Sequence, residues 1–158
     1  MKLKTLWVVA AVLLVAACHQ PAPEPTAATP GPGPSPAPVG VDAVRQQLVQ
    51  VGDRVFFAFN RSDITPEAQQ ILARQAQLLQ ANPSISITIA GNCDERGTRE
   101  YNLGLGERRA NAAKQALVAL GVNPARITTI SYGKERPSVP GHNEQAWAQN
   151  RNAITSIN

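Results

Sequence analysis

From residue 53 onward, apolar and polar positions alternate in a way that predicts strands and helices in turn. Val55–Phe59 is a short apolar and aromatic run, the mark of a strand. Thr65-Pro66-Glu67 predicts a helix start. The threonine hydroxyl caps it, the proline lacks an N–H where none is needed, and the acid faces the positive helix end. Ile71, Leu72, Leu78 and Leu79 give this helix an apolar face, and Pro83 stops it. Ser84–Ala90 sets Ile85, Ile87 and Ile89 at every second position, which predicts a strand with one buried face. A polar loop, Gly91–Glu100, precedes a helix that runs to about Leu120, with Gly121 as its C-cap. The inner face of that helix is predicted to hold Leu105, Ala112, Ala113, Ala116, Leu117 and Leu120. Ile127–Tyr132 is a third strand, Glu144–Gln149 a short helical stretch, and Asn152–Ile157 a last strand. The order β-α-β-α-β-α-β implies an α+β sandwich, with helices packed on one mixed four-stranded sheet. Upstream, Val41, Val44, Leu48 and Val51 fall at helical spacing and predict a short helix ending at Gly52-Asp53.

The N-terminal stretch follows a different pattern. Lys2 and Lys4 precede an unbroken apolar run, Leu6–Ala17, which is the layout of a secretory signal. The run falls short of the about 20 residues that a membrane-spanning helix needs. It stops at Val15-Ala16-Ala17-Cys18, which resembles the bacterial lipobox. That resemblance implies removal of residues 1–17, a diacylglyceryl group on the Cys18 thiol and an acyl chain on its freed amine. Each buried methylene adds about 0.8 kcal/mol, so several chains make a firm anchor. His19 rather than aspartate after the cysteine implies sorting to the outer membrane, with the folded part facing the periplasm. Eight of the chain's 13 prolines lie between Pro21 and Pro38, in a Pro/Ala/Gly-rich stretch that cannot bury a core. In polyproline II form, at about 3.1 Å per residue, it reaches roughly 50–60 Å. It reads equally as a tether or as a spacer of no required length. The chain thus divides into a signal, residues 1–17; a lipidated cysteine and tether, 18–52; and a folded domain, 53–158.

Charge and composition exclude several functions. The net charge of +4 includes Lys2 and Lys4; without them, 13 basic residues face 11 acidic ones. The basic residues are scattered and the aromatics few, so nothing points to nucleic acid. Two cysteines, Cys18 and Cys93, make neither a disulfide framework nor a zinc site. With only His19 and His142 available, metal chemistry and histidine-dependent nucleophilic catalysis have almost no residues to draw on. Cys93 reads as a small buried hydrophobe rather than a redox thiol.

The most distinctive stretch is Asp94-Glu95-Arg96-Gly97-Thr98, then Glu100-Tyr101-Asn102, then Leu105-Gly106-Glu107-Arg108-Arg109-Ala110-Asn111. Ser131-Tyr132-Gly133-Lys134-Glu135-Arg136-Pro137 follows further on. Over about residues 53–158 these motifs resemble the OmpA-like domain family, and within it the peptidoglycan-associated lipoproteins of the Tol-Pal system. The lipobox and the proline-rich tether fit the same group. The resemblance implies a non-catalytic domain that grips the diaminopimelate of the peptidoglycan stem. The free end of that residue carries one ammonium and one carboxylate. Asp94 would accept hydrogen bonds from the ammonium, and the Arg109 fork would hold the carboxylate. Asn102 and Leu105 would line the pocket, and Phe57, Ala58 and Asn60 would form its other wall. Covalent lipid on Cys18 would be the only prosthetic group. The periplasmic protein TolB would be a second partner, competing for an overlapping surface, and the whole tie would support outer-membrane constriction at division.

Other readings stay open on the residues alone. Asp94 and Arg109 could simply form a structural ion pair, and Arg96, Arg99 and Arg108 could be solvated charges. Asp94 with Glu95 could be cast as the acid and base of a glycan hydrolase, although adjacent loop residues tend to point apart. Gly104-x-Gly106 suggests a nucleotide loop, but the third glycine position is Arg109 and no strand immediately precedes it. A wall-binding lipoprotein outside the Tol-Pal system is a further alternative. Two positions depart from the family pattern: Asn92, where histidine is common, and Asn152, where the pattern has a second arginine after Arg151.

Overall fold

The computed structural model describes residues 40–158. The signal segment, the Cys18 lipidation and the tether up to Val39 lie outside the described residues. In chain order the elements are α1 (Val41–Val51), β1 (Arg54–Phe56), α2 (Pro66–Ala81), β2 (Ile87–Asn92), α3 (Arg99–Ala119), β3 (Ile127–Gly133), α4 (Glu144–Asn150) and β4 (Asn152–Ile157). A single 3₁₀ turn, Pro124–Arg126, leads into β3.

The four strands form one mixed sheet in the order β1-β4-β2-β3. β4 runs antiparallel to both β1 and β2, while β2 and β3 are parallel and joined by the crossover helix α3. The register sets Ile87 opposite both Ile127 and Ile157, and Ile89 opposite Thr155. With a side-chain period of two, these positions share a face. The four isoleucines pack with Val44, Leu48, Leu72, Leu79, Ala113 and Leu117 into one core between sheet and helices. Each fully buried aliphatic side chain there contributes about 1.5–3 kcal/mol. Since α1 supplies Val44 and Leu48 to this core, the packed unit includes residues that the sequence pattern assigns to the tether.

Helix ends follow their local chemistry. Thr65 and Thr98 cap α2 and α3, each hydroxyl accepting from the backbone N–H three residues on, at 3.2 Å. At the end of α3, Gly121 takes φ +93°. Its N–H donates to the Val118 carbonyl, and Val122 N–H donates to that of Leu117, the Schellman pairing. The Arg126 side chain donates to the carbonyls of Leu79, Asn82 and Ile85, which closes the exit of α2.

Three expectations shift. β1 ends at Phe56 rather than Phe59, because its partner β4 begins only at Asn152 and the ladder runs out there. β2 covers 87–92 rather than 84–90. Its start is delayed by a turn in which Ile85 N–H bonds the Asn82 carbonyl, and its end is prolonged by pairing of Gly91 and Asn92 with β3 through an irregular register. Leu120 is not an inner-face residue: the helix stops at Ala119 and Leu120 is 36% exposed.

Two glycines bring α3 unusually close to β2. A Cβ added at Gly91 would lie 1.8 Å from the Gly106 carbonyl oxygen, and one at Gly106 would lie 2.4 Å from Ser131 Oγ. Neither position accepts a side chain while the two backbones keep this separation. Gly106 is therefore a packing glycine, and the contact fixes the height at which Leu105 and Arg109 stand over the end of β2.

Candidate binding cleft

Where β2 ends, its loop, the start of α3 and the segment after β1 enclose a cleft of about 160 Å³. Phe59, Asn60, Cys93, Asp94, Arg96, Gly97, Tyr101, Asn102, Leu105 and Arg109 line it. The loop is tied down from inside. The Asn102 amide donates to the carbonyls of Arg96 and Thr98, at 2.8 and 3.0 Å, and Cys93 Sγ donates to the Asn102 carbonyl at 3.4 Å. Gly97, at φ +90°, supplies the left-handed turn that aims Thr98 at the helix start.

Arg109 forms the floor and has no surface open to bulk water. Its Nε donates to the Arg61 carbonyl at 2.8 Å, one Nη to that of Asn92 at 2.8 Å and the other to that of Ala58 at 3.1 Å. The guanidinium also lies 5.2 Å from the Phe57 ring centre. These bonds engage three of its five N–H groups and leave one on each terminal nitrogen. Among the described residues, no carboxylate pairs with it. Burial accordingly pulls its pKa down from the usual arginine value.

Asp94 is in the opposite position. It is 4% exposed. Arg96 holds its Oδ1 through the backbone N–H and Nε, and its Oδ2 through Nη2 at 2.7 Å. Arg151 Nη1 donates to Oδ2 at 3.2 Å. Burial alone would raise the pKa of this carboxyl, but the Arg96 and Arg151 bonds outweigh burial and keep it below the usual carboxylate value. Arg96 itself is stacked between two aromatic rings, 4.0 Å from the Phe59 centroid and 4.1 Å from that of Trp147.

The side chains expected to bind line up unevenly with this geometry. Asp94, Arg109, Asn102, Leu105 and Asn60 share the cleft. Asn60 stands at φ +57° and accepts from the Tyr101 hydroxyl. Phe57 and Ala58 do not line it. The alternation that buries Val55 also turns Phe57 inward, and Ala58 contributes its carbonyl to Arg109 rather than its side chain to a wall. Phe59 stands at the cleft in their stead. Asp94 and Arg109 do not form an ion pair, which removes the structural-pair reading. Arg99 and Arg108 are exposed, whereas Arg96 is part of the cleft. Arg151, unassigned from the sequence, reaches Asp94 from the far end of the chain; only its place in the Asn150-Arg151 motif hinted at a role.

Glu95 points away from the cleft. Its carboxylate accepts from Trp147 Nε1 at 2.8 Å and meets His142 Nδ1 at 2.6 Å, and those two contacts lower its pKa. Cys93 is buried, which pushes its thiol pKa up. Among the described residues, no group of three or more His, Cys, Asp or Glu side chains is placed to hold a metal. Among them, too, no helix is long and apolar enough to cross a membrane.

Comparison with known proteins places this geometry in context. The OmpA family model matches residues 56–151. The chain is 54% identical over 110 residues to the peptidoglycan-associated lipoprotein of Brucella melitensis, covering 70% of this chain and 66%, just under two thirds, of that protein. It is 40% identical over 151 residues to the peptidoglycan-associated lipoprotein of Haemophilus influenzae, covering 96% and 95% of the two chains. Among solved structures it is similar to the peptidoglycan-associated lipoprotein of Burkholderia pseudomallei, at 44% identity and a TM-score of 0.65, covering 67% of this chain and 90% of that one.

Proposed function

The chain belongs to the OmpA family, on its peptidoglycan-associated lipoprotein branch, and from that premise we propose that the cleft binds the free end of diaminopimelate in the peptidoglycan stem. One observation carries the reading: a buried guanidinium with a free N–H on each terminal nitrogen and, among the described residues, no carboxylate paired with it. A ligand carboxylate supplies the missing charge and accepts from both N–H groups, the bidentate geometry that arginine favours. The ligand's ammonium turns to Asp94, in the place that the Arg96 guanidinium holds in this structure. The cleft's volume suits the end of one amino-acid side chain rather than a glycan.

The work of such a site is binding. A glycan hydrolase needs a carboxyl whose pKa is raised so that it can donate a proton. Asp94 and Glu95 are both shifted the other way, and they face different directions.

The sequence up to Val39 supports a lipid anchor at Cys18 in the outer membrane, followed by a Pro/Ala/Gly-rich tether or spacer. The folded domain then reaches the wall from the membrane, and many weak contacts acting together hold the two layers in register. Membership of the Tol-Pal system, with TolB as a competing partner and a part in division, is the accompanying proposal.

The test is sedimentation of the detergent-solubilised full chain with purified sacculi, beside Asp94→Asn and Arg109→Lys. Both variants must first keep the wild-type circular dichroism spectrum. Co-sedimentation of the wild type and its loss in both variants is the expected result. Equal sedimentation of all three chains would remove the cleft from wall binding and leave the TolB surface as the functional one.

A further inference from the structure

The Arg151 side chain is almost wholly enclosed, at 8% exposure, yet lies outside the cleft lining. It sits at the junction of α4 and β4, and each of its donors goes to a different element. Nε donates to the Phe57 carbonyl at 3.0 Å, Nη1 to Asp94 Oδ2 at 3.2 Å and Nη2 to Glu144 Oε1 at 2.6 Å. The backbone returns the contact: Phe57 N–H donates to the Arg151 carbonyl at 2.9 Å.

Those bonds reach both ends of the cleft. Phe57 adjoins Ala58, whose carbonyl, with that of Arg61, cradles Arg109. Asp94 is the opposite end. Arg96 stacks on Phe59 but donates no hydrogen bond to that segment, and a ligand ammonium must compete with it for Asp94. Arg96, Asp94, Arg151 and Glu144 alternate in sign around a closed ring whose last contact, Arg96 to Glu144, is 3.8 Å. When Arg96 yields to a ligand, Arg151 is the cation that remains on Asp94 and keeps its carboxylate oriented.

We propose that Arg151 is the positioning residue of the cleft, one buried guanidinium that sets both the Asp94 carboxylate and the carbonyl cradle of Arg109. This rests on the cleft being the wall-binding site. It gives a place in the site to a residue about sixty positions further along the chain than Asp94. Supporting groups of this kind decide whether a binding constellation is held tightly enough to be selective.

The test uses the full chain in detergent, with Arg151→Gln, Arg151→Lys and Glu144→Gln, each with its melting temperature and circular dichroism spectrum. Two readouts are taken: sedimentation with sacculi, and the titration of the Asp94 carboxyl carbon by NMR without ligand. Loss of a hydrogen bond to a charged group is expected to weaken binding about tenfold or more in Arg151→Gln. The Asp94 pKa should rise in the same variant. Arg151→Lys should restore much of the Asp94 titration, since it keeps the charge, but not the full affinity, since its three donors sit on one nitrogen and the acceptors are spread over three nitrogens of the guanidinium. Glu144→Gln retains Arg151 and should leave Asp94 titrating near wild type. Should Arg151→Gln fail to fold, Arg151→Lys decides: wild-type binding there overturns the proposal. Wild-type binding and titration in a folded Arg151→Gln also overturns it. If even the wild type ignores sacculi, the wall-binding reading has failed separately, and the Asp94 titration alone judges Arg151.

Discussion

Arg109 and Asp94 share one cleft but rest on different parts of the molecule. The guanidinium is held by three main-chain carbonyls, those of Ala58, Arg61 and Asn92, and no described carboxylate balances it. The carboxylate is held mainly by side chains: three guanidinium N–H groups of Arg96 and Arg151, with the Arg96 backbone N–H, fill its four acceptor positions. A charge fixed by backbone cannot relax when a ligand arrives, and it has not been neutralised in advance. A charge fixed by neighbouring arginines must give up one contact for each it gains. The two ends should therefore contribute unequally: the Arg109 end supplies most of the affinity, and the Asp94 end mainly selects for a ligand that carries an amine.

The largest effect should come from disturbing the backbone end. Gly91→Ala drives a methyl group into the Gly106 carbonyl, and steric overlaps that backbone cannot avoid cost about 3 kcal/mol or more. Thermal unfolding should show a large drop in melting temperature, with binding lost because Arg109 moves with α3. Next, Arg109→Lys keeps a charge but loses the fork. It should weaken binding about 100-fold, measured by calorimetry with a stem-peptide fragment, through loss of bidentate charge-assisted bonds worth about 1.5–3 kcal/mol each.

Asp94→Asn should weaken binding less, about tenfold, by the same measure. It also carries a pH signature. The folded-state pKa of Asp94 lies below its unfolded value, so its stabilisation is present above the ordinary carboxylate range near about 4 and is lost as pH falls through the lowered value. The melting-temperature gap between wild type and Asp94→Asn should be flat from neutral pH down to about 5 and close only in stronger acid. A gap that closed nearer neutrality would mean that Arg96 and Arg151 do not hold the carboxylate in solution. The smallest effect is expected at Asn152. It accepts from the Asn92 amide at 2.8 Å, but Arg109 takes the Asn92 main-chain carbonyl, which Asn152→Ala leaves in place. The cost should be about 1–2 kcal/mol of stability in denaturant melts, with binding unchanged.

Much of the fold was legible because its signals are local. Thr65-Pro66, Gly121 and the isoleucine alternation need only their neighbours to be read, and β4 runs over the stretch its pattern predicts, Asn152–Ile157. The boundaries of β1 and β2 were not legible, because a strand ends where its partner does, and that partner lies far along the chain. The cleft shows the same division. Asp94, Asn102, Leu105 and Arg109 lie within one motif, and they meet in the cleft. Arg151 went unassigned because its contacts with Phe57 and Asp94 span 94 and 57 residues. Asn92 and Asn152, two separate departures from the family pattern, are hydrogen-bonded to each other across 60 residues. Sequence position gives no hint that the two substitutions form one unit. Of the Gly104-x-Gly106 pair, only Gly106 gains a role, from the strands packed against it.

The most direct measurement is calorimetric titration of the wild-type chain with three stem peptides. One carries diaminopimelate, one carries diaminopimelate with its side-chain amine acetylated, and one carries lysine, which lacks the terminal carboxylate. If Arg109 supplies most of the affinity, the lysine peptide should lose nearly all binding, while the acetylated peptide should retain binding about tenfold weaker than the parent. If the lysine peptide binds as well as the parent, or better than the acetylated one, the unbalanced guanidinium is not what holds the ligand.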